Sequence, residues 1–174
     1  MLQFSLPSVP PGGHRLQMAA LAGDGSFHAA GYSDGSIRQA LGTSAYVLKG
    51  VDGAVLAEGS QRFPGYVRDS NAPELRGILQ LLEAAERAGV RRLVCMSDSY
   101  QALQVVSSAV AGKPSNYEDV PKILVLLARF ESVELRNIAN RHNAHADALC
   151  TSAHASPMHG AAVKSAPKPR PRRP

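Results

Sequence analysis

The order of hydrophobic patterns along this chain predicts an α/β fold, a mixed five-stranded sheet of order β-β-β-α-β-α-α-β-α with helices on both faces. Three observations predict it. Between residues 27 and 61, three short strand-like segments follow one another across turns containing Gly35-Ser36 and Asp52-Gly53, as in an antiparallel meander. From residue 72 the apolar spacing changes to the helical period. Helical and strand-like segments then alternate, which calls for crossover connections onto one sheet.

Residues 27–34 read as a strand ending at Gly35-Ser36, 43–49 as a second, and 54–61 as a third. Asp52-Gly53 is a strong hairpin signal between the last two. Residues 72–88 place Leu75, Ile78, Leu79, Leu82 and Ala85 on one helical face. Ser70 or Asn71 suits the N-cap, Pro73 the first turn, and Gly89 the end. Residues 92–97 form a short buried strand. Helices follow at 99–110, ended by Gly112-Lys113-Pro114, and at 120–130. A strand at 133–139 and a helix at 143–153 complete the order. Residues 1–26 form an N-terminal extension, irregular to residue 13 with a short extra strand at 14–22. Residues 27–153 form the domain. Residues 154–174 form a Pro-, Lys- and Arg-rich tail without a packed core.

The 174 residues are 44% hydrophobic and 19% charged, a globular composition long enough to bury a core without disulfides. Cys95 and Cys150 lie in apolar stretches and read as buried, inert thiols. No apolar run reaches transmembrane length, so no membrane partner is expected. The first residues lack the basic and long apolar regions of a secretory signal, and a cytoplasmic monomer is the expectation. The net charge of +5 comes from the tail, where Lys164, Lys168, Arg170, Arg172 and Arg173 follow the last acid. The remaining 14 Lys and Arg balance the 14 acids. Such a tail attracts nucleic acid nonspecifically by counterion release, or serves as a solubilising end.

Four acids mark the chemistry. Asp34 ends the first expected strand and Asp98 the fourth, which should run parallel beside it. Sites in open α/β sheets form at the carboxyl ends of adjacent strands. Glu74 lies in the first turn of the first helix, and Asp147 in the first turns of the last. Singly, each has a plainer reading: a turn residue at Asp34, an N-cap at Asp98, and macrodipole partners at Glu74 and Asp147. Together they offer converging carboxylates for two hard divalent cations, the arrangement that hydrolyses phosphodiesters. Asp24, in a second Asp-Gly-Ser, follows no strand and reads as a loop acid.

The motifs Ser33-Asp34-Gly35-Ser36, Asn71-Ala72-Pro73-Glu74-Leu75, Ser97-Asp98-Ser99 and Asn143-Ala144-His145-Ala146-Asp147-Ala148-Leu149, in this order, resemble type I ribonuclease H and its reverse-transcriptase-like relatives. The resemblance covers residues 27–153. It implies a ribonuclease H-like fold, two Mg²⁺ or Mn²⁺ ions, and hydrolysis of the RNA strand of RNA–DNA hybrids to 5′-phosphate and 3′-hydroxyl ends. It further implies that Asp34 bridges both metals, Glu74 and Asp98 support one, and Asp147 holds the other. By the same resemblance Gly35, Ser36 and Asn71 sense the 2′-hydroxyl that only RNA carries, with Ser99 or Gln101 beside them. Asn71 has an alternative as a helix cap. Other readings of the same fold are a nuclease for another nucleic acid and a non-catalytic nucleic-acid-binding module.

The chain departs from the family in three places. No histidine stands clearly in the loop before the last aspartate, although His142 and His145 are near. The basic protrusion of many bacterial members is reduced to residues 112–119, where Lys113 and Tyr117, with Arg129 beyond, are the candidate phosphate contacts or plain surface residues. The Gly-rich loop after the first aspartate is cut to residues 37–42.

Overall fold

The computed structural model describes residues 29–63 and 69–156. The expected N-terminal strand at 14–22 and the basic tail beyond residue 156 lie outside the described residues. The observed order is β1 (Ala29–Arg38), β2 (Leu41–Gly50), β3 (Val55–Arg62), α1 (Asn71–Arg87), β4 (Arg92–Ser97), α2 (Tyr100–Val110), α3 (Asp119–Leu127), β5 (Ser132–Asn137), a single 3₁₀ turn (Asn140–His142) and α4 (Ala144–Ala155). This is the expected succession. The sheet order is β3-β2-β1-β4-β5, with β1, β2 and β3 antiparallel and β4 and β5 parallel to β1.

Local chemistry explains most boundaries. In α1, Leu75, Ile78, Leu79, Leu82 and Ala85 are all buried, and Gly89 ends the helix with a φ of +73° that favours glycine. Asp52 accepts from the Ala54 N–H at 3.0 Å and Gly53 takes a φ of +80°, closing the β2–β3 hairpin as Asp-Gly predicts. The α1 N-terminus differs from expectation. Ser70 makes no side-chain capping bond. The Asp69 carboxylate instead accepts from the Asn71 N–H at 2.7 Å, an Asx turn.

The first strand also differs. Asp34 was expected to end it, yet β1 continues to Arg38. The reason is the turn. Arg38 pairs with Leu41, so Gln39 and Ala40 alone make the hairpin, at φ 50° and 63°. Both central residues are left-handed, as in a type I′ turn, without the glycine such turns favour. What looked like a shortened loop over 37–42 is therefore mostly strand. At the other end α4 runs to Ala155, two residues beyond the expected limit, and Arg62 donates to the Ser156 carbonyl at 2.9 Å.

The main core joins one sheet face to α1, α2 and α3, through Leu48, Leu75, Ile78, Leu82, Leu103, Ile123 and Leu135 among others. Each fully buried aliphatic side chain of this kind contributes about 1.5–3 kcal/mol. Arg76 ties α1 to α3 through ion pairs with Glu118 and the buried Asp119. The last helix, α4, packs instead on β1, β2 and β3. There Thr43 donates to the Cys150 carbonyl at 3.4 Å and Arg38 to Thr151 at 3.2 Å.

Candidate active site

The β1–β4 pairing ends at Ser33 opposite Ser97. Asp34 and Asp98 are the next residues on their chains, so parallel register alone sets them side by side at the end of β4. Asp34 therefore lies where the expected site lies, although within its strand rather than at its end. Beyond Ser33, β1 has no β4 partner, and α1 approaches that open flank.

Two glycines permit the approach. A Cβ at position 35 would collide with the backbone of Pro73 and Glu74, and one at Gly77 would lie 2.7 Å from the Asp34 carbonyl oxygen. Any side chain at either place would push the first turn of α1 away from β1. With both absent, Glu74 reaches Asp34 and Asp98, and one carboxylate oxygen of each lies within 4.8 Å of the others. Asp147 stands outside this group. It is exposed on α4, but its charge acts on Asp34.

The fourth element is anchored by Asn143, which is 1% exposed. Its Nδ2 donates to the Ser33 carbonyl and to Asp98 Oδ1, both at 2.9 Å. Its own carbonyl accepts from the Asp147 N–H at 3.0 Å. Asn143 thus links β1, the carboxylate after β4 and the start of α4. Ser97 completes the support: its hydroxyl accepts from the Ser99 N–H at 3.1 Å, and its carbonyl accepts from Asn137 Nδ2 and the Ile138 N–H, both at 3.0 Å.

The electrostatics follow from burial and like charge. Asp34 is 6% exposed. Burial raises its pKa, a hydrogen bond from the Cys150 thiol lowers it, and Asp98 and Asp147 raise it again, to about 6 in all. Glu74 is pushed up to about 9 by burial first, then by Asp34 and Asp98, against the N–H of Gly35. Glu74 Oε2 is buried with no hydrogen-bond partner. Crowded carboxylates with a lone buried acceptor suit a hard, oxygen-seeking divalent cation such as Mg²⁺ or Mn²⁺. Cys150 is buried and free, its Sγ 3.5 Å from the Asp34 carbonyl, and burial raises the pKa of its thiol. Cys95, also free, is pushed up to about 12 by burial alone. Both thiols are buried, as their apolar stretches of sequence predict, and burial disfavours the thiolate in each.

The remaining candidates divide. Gly35 lies at the carboxylates. Ser36 is half-buried on β1, its backbone hydrogen-bonded to His154 of α4. Ser99, not Asp98, caps α2, accepting from the Ala102 N–H at 3.3 Å. Asn71 does not use its side chain as a cap; its Nδ2 donates to the Tyr117 hydroxyl at 3.2 Å. His142 accepts from Arg141 in the exposed 3₁₀ turn, and His145 pairs with Glu58 of β3 at 2.9 Å. Arg129 is held by Glu86. Sequence reasoning missed Asn143 as an anchor and Asp69 with Tyr117 as partners of Asn71. The signals were faint: an Asn opening the last motif, and Asp-Ser-Asn before the first helix.

Residues 32–153 match the model of the reverse transcriptase-like family. No curated protein matches the chain. Among solved structures, the RNase H1 of the halophilic archaeon Halobacterium salinarum NRC-1 is 25% identical at a TM-score of 0.62, covering 73% of this chain and 97% of that one. The N-terminal RNase H domain of a Mycobacterium tuberculosis protein is 23% identical at a TM-score of 0.63, covering 74% and 94%. LC11-RNase H1, solved in complex with an RNA/DNA hybrid, is 22% identical at a TM-score of 0.61, covering 72% and 95%. Sheet order, helix placement and the family match over 32–153 agree, and the chain belongs to the reverse transcriptase-like family, with a type I ribonuclease H-like domain.

Proposed function

We propose that this protein is a metal-dependent endoribonuclease that hydrolyses the RNA strand of RNA–DNA hybrids. The observation that carries the reading is the convergence of Asp34, Glu74 and Asp98 within 4.8 Å, on the fold of RNase H1 proteins. The RNA/DNA hybrid bound by LC11-RNase H1 supports the choice of substrate.

Asp34, Glu74, Asp98 and Asp147 are assigned to hold two Mg²⁺ or Mn²⁺ ions. When bound, such a pair supplies activation of a water and stabilises charge on the leaving oxygen. Asp34, buried between Glu74 and Asp98 and within the field of Asp147, would contribute its carboxylate to such a site. Asn143 holds the Asp98 carboxylate in place from behind. Gly35 brings a backbone N–H to the carboxylates with no side chain in the way. Gly35, Ser36, Asn71 and Ser99 are assigned contact with the ribose, whose 2′-hydroxyl separates RNA from DNA.

The test is cleavage of labelled RNA–DNA hybrid, double-stranded RNA, double-stranded DNA and single strands with Mg²⁺ or Mn²⁺. Cleavage confined to the RNA of the hybrid, and lost in Asp34→Asn, is expected. Binding without cleavage under both metals would sink the reading.

A further inference from the structure

Asp69, Asn71 and Tyr117 form a closed hydrogen-bonded ring at the start of α1, where Asn71 stands three residues ahead of Glu74. Asp69 accepts the Asn71 N–H with one carboxylate oxygen, at 2.7 Å, and the Tyr117 hydroxyl with the other. The Tyr117 oxygen in turn accepts from Asn71 Nδ2 at 3.2 Å. Tyr117 comes from the α2–α3 connection and packs its ring against the main core.

The direction of these bonds is forced. A carboxylate only accepts, so the tyrosine hydroxyl spends its single proton on Asp69. Its oxygen can then only accept from Asn71, and the asparagine must turn its NH₂ toward it. The ring uses the Asn71 nitrogen and leaves Oδ1 as the acceptor end of the carboxamide. Asn71 and Glu74 are three apart on one helix and share a face. A ribose 2′-hydroxyl can donate to such an acceptor; a deoxyribose cannot.

We infer that Asp69 and Tyr117 act as positioning residues that lock the Asn71 carboxamide with Oδ1 presented to the ribose 2′-hydroxyl, so that the α2–α3 connection sets substrate discrimination. The inference rests on the hybrid-nuclease reading and deepens it.

The experiment is a scan of single 2′-deoxy and 2′-fluoro substitutions along the RNA strand of a hybrid, cleaved by the full chain with Mn²⁺ or Mg²⁺. Fluorine cannot donate, so the wild type should lose about tenfold in kcat/KM with either substitution at one position, the size of one hydrogen bond. That penalty should vanish in Asn71→Ala. Tyr117→Phe keeps the ring and removes only the hydroxyl; it should erase the same penalty and raise KM by a larger factor than it lowers kcat on unmodified hybrid. Asp69→Asn is the sharper arm. It offers an N–H where the carboxylate accepted, the tyrosine then donates to Asn71, and the carboxamide turns over to present its NH₂. The 2′-fluoro penalty should then shrink relative to 2′-deoxy. A penalty that survives undiminished in Tyr117→Phe, or a loss spread evenly over all positions, overturns the lock while leaving the nuclease intact. No cleavage by wild type with either metal overturns the underlying reading, and the lock with it.

Discussion

Asn143 Nδ2 lies 2.9 Å from Asp98 Oδ1 and, with its second hydrogen, 2.9 Å from the Ser33 carbonyl. One buried side chain therefore sets the spacing between the strand that carries Asp34, the carboxylate after β4, and the helix that carries Asp147. Groups that orient metal-binding carboxylates typically matter 10–100-fold for metal affinity or activity. Asn143→Ala should lower hybrid cleavage by roughly that factor, and stability by about 1–3 kcal/mol, because the Ser33 carbonyl is left without its side-chain donor. Asn143→Asp should fare worse at neutral pH, since it sets an acceptor against two acceptors. Denaturant melts and steady-state cleavage of the two variants check both.

The contact between Gly35 and Glu74 carries the second prediction. The obstacle to a side chain at 35 is helix backbone, which cannot rotate aside. Gly35→Ala should cost at least the ~1–3 kcal/mol of an overpacked core and displace Glu74 from the other carboxylates. The measurable result is a weaker rise in melting temperature on adding Mn²⁺ than wild type shows. An equal rise would show that α1 can shift without moving its carboxylate.

The crowded carboxylates make the metal-free protein sensitive to pH in a defined direction. Asp34 rises from 3.8 to about 6 on folding, and Glu74 from 4.5 to about 9. For an acid whose folded pKa is raised, the folded state holds the proton longer, and stability falls as pH rises between the two values. In chelator, these two groups should lower stability progressively from about pH 4 to about pH 9. Asp34→Asn and Glu74→Gln should each flatten that decline and raise the melting temperature at pH 8, while abolishing cleavage. Divalent cation should stabilise wild type more at pH 8 than at pH 5, with release of protons. Scanning calorimetry across pH, with and without Mn²⁺, reads each of these.

The β1–β2 turn stores a small, removable strain. Gln39 and Ala40 both occupy left-handed backbone, which costs about 1–2 kcal/mol for an ordinary residue. Replacing the pair with Asn-Gly should raise stability by about 1 kcal/mol without altering the metal response. A drop in melting temperature would mean that the native side chains make contacts that outweigh the strain.

Much of this protein was legible in its sequence because it is local. The change from strand to helical period at residue 72, the Asp-Gly hairpin and Gly89 each depend on a few neighbours, and the elements follow in the expected order, although the third helix stops at Leu127 rather than 130 and the last strand at Asn137 rather than 139. The order of elements, with Asp34 and Asp98 on adjacent parallel strands, was enough to bring those two together. The extent of β1 was not legible, because Gln39-Ala40 carries no turn signature and pairing with β2 holds it in place. The cap by Asp69 was hidden for a similar reason: three consecutive residues, Asp69, Ser70 and Asn71, all favour a helix start.

The sequence alone determined the fold class, the succession of elements and the placing of Asp34 and Asp98 on adjacent strands, since periodicity and turn chemistry are written between near neighbours. Only the tertiary structure decided that Glu74 joins Asp34 and Asp98 while Asp147 stands apart, that Asn143 spans three elements, and that Tyr117 reaches Asn71 across 46 residues. Such meetings depend on strand register and on how closely two backbones approach. At Gly35 and Gly77 the approach is set by the absence of a side chain, whose meaning appears only once the neighbouring backbone is in place.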